Sequence, residues 1–329
     1  MKKGKKILLS GIKPTGIVHI GNYFGAMKQF VDLQDEYESY ICVVNYHAMT
    51  TVQDAEILRR QTIDVALDHL AIGLDPKKVN LFVQSDVPEV AELAWIFNCI
   101  TTMPYLMRAH AYKDALAKNK ELNVGVFDYP ILMAADILMQ DADVVPVGAD
   151  QKQHVEYARD TAEKFNRVFK KEIFKLPEPL IQSNVAMVVG TDGRKMSKSY
   201  GNVISLFSSD EEIKKAVMSI PTDSKAIEES KDPEECKVFA LHKLFAGENL
   251  TEIEKKYKEG GMGYKESKDI LIENVISFIK PLREKREELA KDPDYVLNVL
   301  KEGGNNARAR AKEKMNAVRA CTGINYKIN

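Results

Sequence analysis

Five short apolar runs, rich in β-branched residues, punctuate the first 190 residues, and stretches of helical periodicity lie between them. The runs are Ile7–Ser10, Tyr40–Val44, Val79–Gln84, Val144–Val147 and Met187–Val189, each bounded by Gly, Pro or polar residues. Brief apolar runs without polar alternation read as strands buried on both faces. Between the first two, Ile20, Phe24, Met27 and Val31 recur at helical spacing. Between the second and third, Ile57, Ile63, Leu67 and Leu70 form another such stripe. Strand and helix in repeated succession predict an α/β fold, a parallel sheet with helices on both faces.

The stretch Pro88–Leu138 exceeds what one crossover needs and predicts two or three inserted helices, broken at Pro104 and Pro130. From about Leu206 no strand pattern remains. Helices are expected over Glu211–Ser219, Cys236–Phe245, Leu250–Tyr257, Lys268–Glu287 and Arg308–Ala320. A boundary near 205 therefore separates a sheet domain, 1–204 with a helical insertion at about 88–140, from an all-helical domain, 205–329.

Apolar residues at 45% and charged residues at 29% exclude a disordered chain and a membrane protein. Lys and Arg number 47 against 48 Asp and Glu, so gross basicity offers no argument for nucleic acid. Lys301–Asn329 is the exception: seven basic residues against two Glu leave an excess of +5. That stretch reads either as a solvated helix end or as a polyanion contact. Cys42, Cys99, Cys236 and Cys321 are widely spaced and suggest neither a zinc site nor a disulfide framework. The run Ile7-Leu8-Leu9 is too short for a signal peptide or a span, so a cytoplasmic protein with no membrane partner is expected.

Two strings carry chemistry. Pro14-Thr15-Gly16-Ile17-Val18-His19-Ile20-Gly21-Asn22 follows the first strand and opens the first helix, where ligands bind in open α/β sheets. Helix N-terminal N–H groups favour phosphate there, and His19 and Asn22, three apart, share a face. Gly21 would remove a side chain where a flat base could lie. The plain alternative is a turn with a histidine at a helix start. The second string is Gly193-Arg194-Lys195-Met196-Ser197-Lys198-Ser199-Tyr200-Gly201-Asn202. Two lysines three apart, between glycines, make a loop able to wrap a polyphosphate and stabilise charge on leaving pyrophosphate.

Together, the Pro-Thr-Gly-x-x-His-x-Gly-Asn string and KMSKS resemble the signatures of the class I aminoacyl-tRNA synthetases. Tyr129-Pro130-Ile131-Leu132-Met133-Ala134-Ala135-Asp136-Ile137-Leu138 and Val144–His154 narrow the resemblance to the bacterial-type tryptophanyl-tRNA synthetases. The family implies a Rossmann-like catalytic domain and a helical domain that binds the tRNA anticodon arm. It also implies adenylate formation from L-tryptophan and ATP, followed by transfer to tRNA(Trp). Met133, Asp136 and Ile137 at i, i+3 and i+4 would line one helix face, with Asp136 accepting the indole N–H. A buried carboxylate needs a donor even without substrate. Tyr129 and Gln151 match positions that hold the amino acid's polar end, and His47 matches a pocket residue.

For ATP the resemblance implies Lys13, Pro14, Thr15, Gly21 and Asn22, then Gly148, Ala149 and Asp150 at the ribose, and Val188 at the adenine. Lys195, Met196, Ser197, Lys198 and Ser199 complete the set, with Lys195, Lys198 and His19 catalytic. Mg2+ would arrive with ATP, and no protein side chain is assigned to a metal. Too few cysteines lie in the C-terminal part for an iron–sulfur cluster, and no zinc is expected. Lys13 and Asn45 stand where many relatives carry Gln and Asp, and Ala111 where the best-known members carry Gln. Two other readings stay open: a tyrosyl-tRNA synthetase-like enzyme, and a catalytically silent RNA-binding paralogue. A homodimer is expected from the family and from apolar Leu93, Trp95, Ile96 and Phe97 on one inserted helix. Arg308, Arg310 and Lys314 are expected to contact the tRNA backbone.

Overall fold

The computed structural model describes residues 4–109, 112–113, 123–148, 152–181 and 188–326. Five strands form one parallel sheet in the order β3-β2-β1-β4-β5. They are β1 (Ile7–Ile12), β2 (Glu38–Val43), β3 (Val79–Val83), β4 (Val144–Pro146) and β5 (Glu178–Leu180). β1 pairs with β2 from Ile7↔Glu38 to Ile12↔Val43, and on its other side Leu8 pairs with Val144 of β4. Strand order therefore reverses at β1 and β4, and the crevice beyond their carboxyl ends is the ligand position in such sheets.

Four of the expected strands are present; the fifth is not where the apolar pattern put it. β5 is Glu178-Pro179-Leu180, because an edge strand tolerates a proline that a central strand does not. Val189 instead forms an isolated antiparallel bridge with Lys195, and Met187 lies outside the described residues.

The inserted helices run over Glu89–Ile100, Met103–Leu106 and Val124–Met139. The Asn123 side chain caps the last of these by accepting from the Val126 N–H at 2.9 Å. Pro130 does not break it: the helix runs on through the proline, with Pro130 buried inside. Leu93, Ile96 and Phe97 are buried in the core beside Phe165 and Phe174, so only Trp95 of the expected interface group is strongly exposed, at 70%.

The chain forms two compact units. One comprises 1–16, 29–183 and 292–329 and contains the whole sheet; the other comprises 17–28 and 184–291. This division does not follow the boundary expected near 205. Pro293–Thr322 is one continuous helix, far longer than the expected Arg308–Ala320, and it packs on β3 in the sheet unit. Gly303 and Gly304 hid it in the sequence, since paired glycines weaken a helix. They are needed here: a Cβ on Gly303 would collide with the Leu81 carbonyl. Ala55–Ala71 and Lys152–Val168 are further helices of the sheet unit, whereas Asp210–Met218, Lys237–Phe245, Leu250–Glu259 and Tyr264–Leu289 belong to the second unit. Among the described residues, no helix is long and apolar enough to cross a membrane.

Candidate active site

In the sheet unit, a cavity of about 500 Å³ opens at the carboxyl ends of β1 and β4. Met133, Asp136 and Ile137 reach it from helix Val124–Met139, as their spacing predicted, and Tyr129 reaches it from the same helix. His47 and Thr50 reach it from the turn after β2, and Leu9, Val44, Val145 and Val147 supply apolar wall. Tyr129 keeps its ring edge toward His47, with centroids 6.1 Å apart, and its hydroxyl lies 3.2 Å from His154 Nε2.

Asp136 is 7% exposed and fully bonded on its buried side. Gln84 Nε2 donates to Asp136 Oδ1 at 2.9 Å and Oδ2 at 2.8 Å, and His47 Nε2 lies 3.0 Å from Oδ2. The required donors therefore exist, and Gln84 among them had been read only as the end of a strand. Its legible signal was a polar residue directly after a buried strand, at the carboxyl edge where sites form.

Lys13, expected at an ATP phosphate, lines this same cavity, where its Nζ donates to Thr50 Oγ1 at 3.0 Å. Burial lowers its pKa from the usual lysine value. Cys42 lies at the cavity floor, and burial first, then the Asp136 and Asp86 charges, push its thiol well above the usual value. Pro14 is buried, and Thr15 N–H donates to Lys13 O at 2.8 Å. Gly16, at φ 64°, turns the chain left-handed at the end of this segment. Gly148 is half-buried after β4; Ala149, Asp150 and Gln151, with Ala111, lie outside the described residues.

In the second unit, the histidine string and the KMSKS loop come together. Ile20 N–H donates to Ile204 O at 3.0 Å, and Leu206 N–H to Val18 O at 3.0 Å, with His19 and Ser205 bridged antiparallel. A Cβ on Gly21 would meet His19 Nδ1 at 2.9 Å and Met196 Cβ at 3.4 Å. The space glycine provides here is thus also needed by the imidazole and the loop. His19 is buried, and its N–H donates to Asn22 Oδ1 at 3.1 Å. Burial, aided by the Lys198 charge, lowers the His19 pKa to about 4, so the ring is neutral at pH 7.

Lys195 and Lys198 are exposed, whereas Met196 is buried as the loop's anchor. Its N–H donates to Val188 O at 2.9 Å, so the backbone of Val188, the residue expected at the adenine, closes the loop's stem. Ser197 Oγ and Ser199 Oγ lie 2.9 Å apart. Asn202, quoted in the motif but given no role, organises the turn. Its Oδ1 accepts from Ser197 N–H at 2.8 Å, while its Nδ2 donates to Asp192 Oδ1 at 2.7 Å. These bonds, with Arg194 beside it, hold the Asp192 carboxyl down at about 2.

The basic C-terminal residues are pinned within the sheet unit. Arg308 Nε lies 3.0 Å from Glu89 Oε1, and Arg319 Nε 2.8 Å from Glu92 Oε1. Lys314 Nζ lies 2.7 Å from Asp141 Oδ1 and donates to Ile173 O at 2.9 Å, and Arg310 donates to Gln140 O at 3.2 Å. Glu89, Glu92 and Asp141, brought alongside, offset three of the five excess charges, which weakens the argument for Arg308, Lys314 and Arg319 as tRNA contacts.

Residues 1–280 match the family described as tRNA synthetases class I (W and Y). The chain is 50% identical over 318 residues to a tryptophan–tRNA ligase of Fusobacterium nucleatum, covering 96% of this chain and 97% of that protein. It is 47% identical over 318 residues to one of Rhodopirellula baltica, covering 96% and 99%. A solved structure of tryptophanyl-tRNA synthetase from Campylobacter jejuni, complexed with ADP and tryptophan, superposes with a TM-score of 0.90 at 47% identity. That match covers 96% of this chain and 99% of the other. A sheet whose order reverses at a cavity holding Asp136, and a KMSKS loop bonded into one unit with His19, are thus the parts of a chain that belongs to the class I tRNA synthetases of the W and Y family.

Proposed function

We propose that this chain is a tryptophan–tRNA ligase, activating L-tryptophan with Mg·ATP and charging tRNA(Trp). The observation that carries the reading is Asp136, a buried acceptor in a cavity of about 500 Å³ with apolar walls from Leu9, Val44, Met133, Ile137, Val145 and Val147. An indole offers an apolar body and one N–H, and such a site rejects side chains that leave the acceptor unpaired. Met133 and Ile137 flank the ring, His47 completes the pocket, and Tyr129 and Gln151 hold the ammonium and carboxylate end.

In the first step a tryptophan carboxylate oxygen attacks the α-phosphorus, and the α–β phosphoanhydride bond breaks. Pyrophosphate leaves with the bonding electrons, and tryptophanyl-adenylate remains. In the second step a hydroxyl of the tRNA 3′-terminal ribose attacks the acyl carbon and AMP leaves. The protein contributes position and charge rather than a covalent intermediate. Lys195 and Lys198 neutralise the departing pyrophosphate, and the neutral His19 donates to phosphate oxygen. Ser197, Ser199 and the Met196 backbone wrap the phosphates. Lys13, Pro14, Thr15, Gly21, Asn22, Gly148, Ala149, Asp150 and Val188 complete the proposed ATP set. Mg2+ is carried by the phosphates themselves, the usual arrangement for a cation that keeps much of its water.

The helices from Asp210 to Leu289, in the second unit, are the proposed platform for the anticodon arm. A homodimer in the cytoplasm is proposed on the family relationship. ATP–pyrophosphate exchange with each of the twenty amino acids tests the function. Tryptophan alone should support rapid exchange; exchange with tyrosine instead would establish the sister specificity, and none with any amino acid a silent paralogue.

A further inference from the structure

Gln84 has no exposed surface and does not line the tryptophan-type cavity, yet it is bonded to the carboxylate at its centre. It is the first residue after β3, in the turn Gln84–Asp86. Its Oε1 accepts from the backbone N–H groups of Tyr46 and His47, at 3.0 and 3.4 Å. Those two donors fix the amide's orientation, so Nε2 must face Asp136. There it spans both carboxylate oxygens, at 2.9 and 2.8 Å.

A carboxylate has about four acceptor directions, two on each oxygen. Asp136 Oδ2 spends both, on Gln84 and on His47 Nε2 at 3.0 Å. Oδ1 spends one, on Gln84. The remaining direction among the described residues therefore belongs to Oδ1.

We propose that Gln84 is a positioning residue for side-chain selection: by gripping both oxygens of Asp136 it presents Oδ1 to the indole N–H, without itself touching substrate. The inference rests on the tryptophan reading above. An amide suits this position as a carboxylate does not, because a carboxylate there has no N–H to give Asp136 and, while ionised, repels it until acid supplies a proton to the pair. Among the described residues, the other titratable groups around the pair are Lys13 just past β1, Cys42 from β2, His47, Asp86 and Tyr129.

The test is ATP–pyrophosphate exchange by the full-length protein between pH 5.5 and 8, at saturating ATP. It compares tryptophan with 3-benzothienylalanine, in which sulfur replaces the indole N–H. In the Gln84→Leu and Gln84→Glu variants the tryptophan KM should rise about tenfold at pH 7.5, the scale of a lost hydrogen bond to a charged group. The benzothienyl KM should stay within about twofold of the parent's. On acidification the Gln84→Glu variant should recover its tryptophan KM relative to the parent, because the protonated, isosteric acid donates to Asp136 as the amide does. The Gln84→Leu variant should not recover. Should Gln84→Leu fail to fold, the pH recovery of Gln84→Glu alone decides. Parallel rises for both substrates, or no acid recovery in Gln84→Glu, would overturn the positioning role. A parent that shows no tryptophan-dependent exchange would instead overturn the tryptophan reading itself.

Discussion

The Asn202 side chain donates to Asp192 Oδ1 at 2.7 Å, tying the end of the KMSKS loop to its beginning. Asn202 is 2% exposed, and a Cβ on Gly190 would run into it, so loop and amide are fitted to each other. Replacing Asn202 with Ala removes the acceptor for Ser197 N–H and the donor for Asp192, and with them the two side-chain bonds that span the loop. The loop should lose its preferred form. Single-turnover measurement should then show adenylate formation slowed about tenfold or more, with tryptophan affinity unchanged by equilibrium titration.

Lys195→Ala and Lys198→Ala should act on the chemical step. Both side chains are exposed, and neither belongs to the cavity that holds Asp136. Adenylation should fall by two or more orders of magnitude, the usual scale for lost charge stabilisation, while tryptophan binding holds. Equal losses in rate and in tryptophan affinity would assign the lysines to ground-state binding.

Three buried imidazoles set an acid limit. His19, His69 and His242 are each lowered by burial to about 4, and each keeps one ring nitrogen buried without a partner. Protonation would put a charge and an unpaired N–H in that position. Because the folded pKa lies below the unfolded value of 6.5, the unfolded chain binds more protons between them. Their contribution to stability is complete above pH 6.5 and is lost as pH falls toward 4. Melting temperature should fall across that window, and His69→Asn should flatten the slope by about one third relative to the parent.

Lys314→Gln and Arg319→Gln should lower the melting temperature and leave the KM for tRNA unchanged. Lys314 is 13% exposed and bonded to both Asp141 and Ile173 O, so its replacement strands a carboxylate rather than a phosphate contact. A raised tRNA KM with intact pyrophosphate exchange would return this helix to the tRNA-binding surface.

What was legible in the sequence was whatever a local pattern records. Strands buried on both faces show as apolar runs, and Met133, Asp136 and Ile137 declare a helix face by spacing alone. What stayed hidden depended on partners far along the chain. Gln84 is ordinary until Asp136, 52 residues on, is placed against it. The basic excess after Lys301 looked like a polyanion surface because Glu89 and Glu92, more than 200 residues earlier, do not show in a local charge count. β5 was hidden by the proline that marks it as an edge, and the last helix by the two glycines that let it dock.

Gly303, seated against the Leu81 backbone, also bears on how the molecule is made. β3 is the outermost strand on its side of the sheet, and the helix that covers it is made about 200 residues later. Until that helix emerges the strand lacks its cover, with a row of backbone groups open to mispairing. The unit that holds the sheet is therefore completed only after Pro293–Thr322 has left the ribosome. A chain truncated before Pro293 carries every residue proposed for catalysis and still lacks the piece that closes its first folded unit.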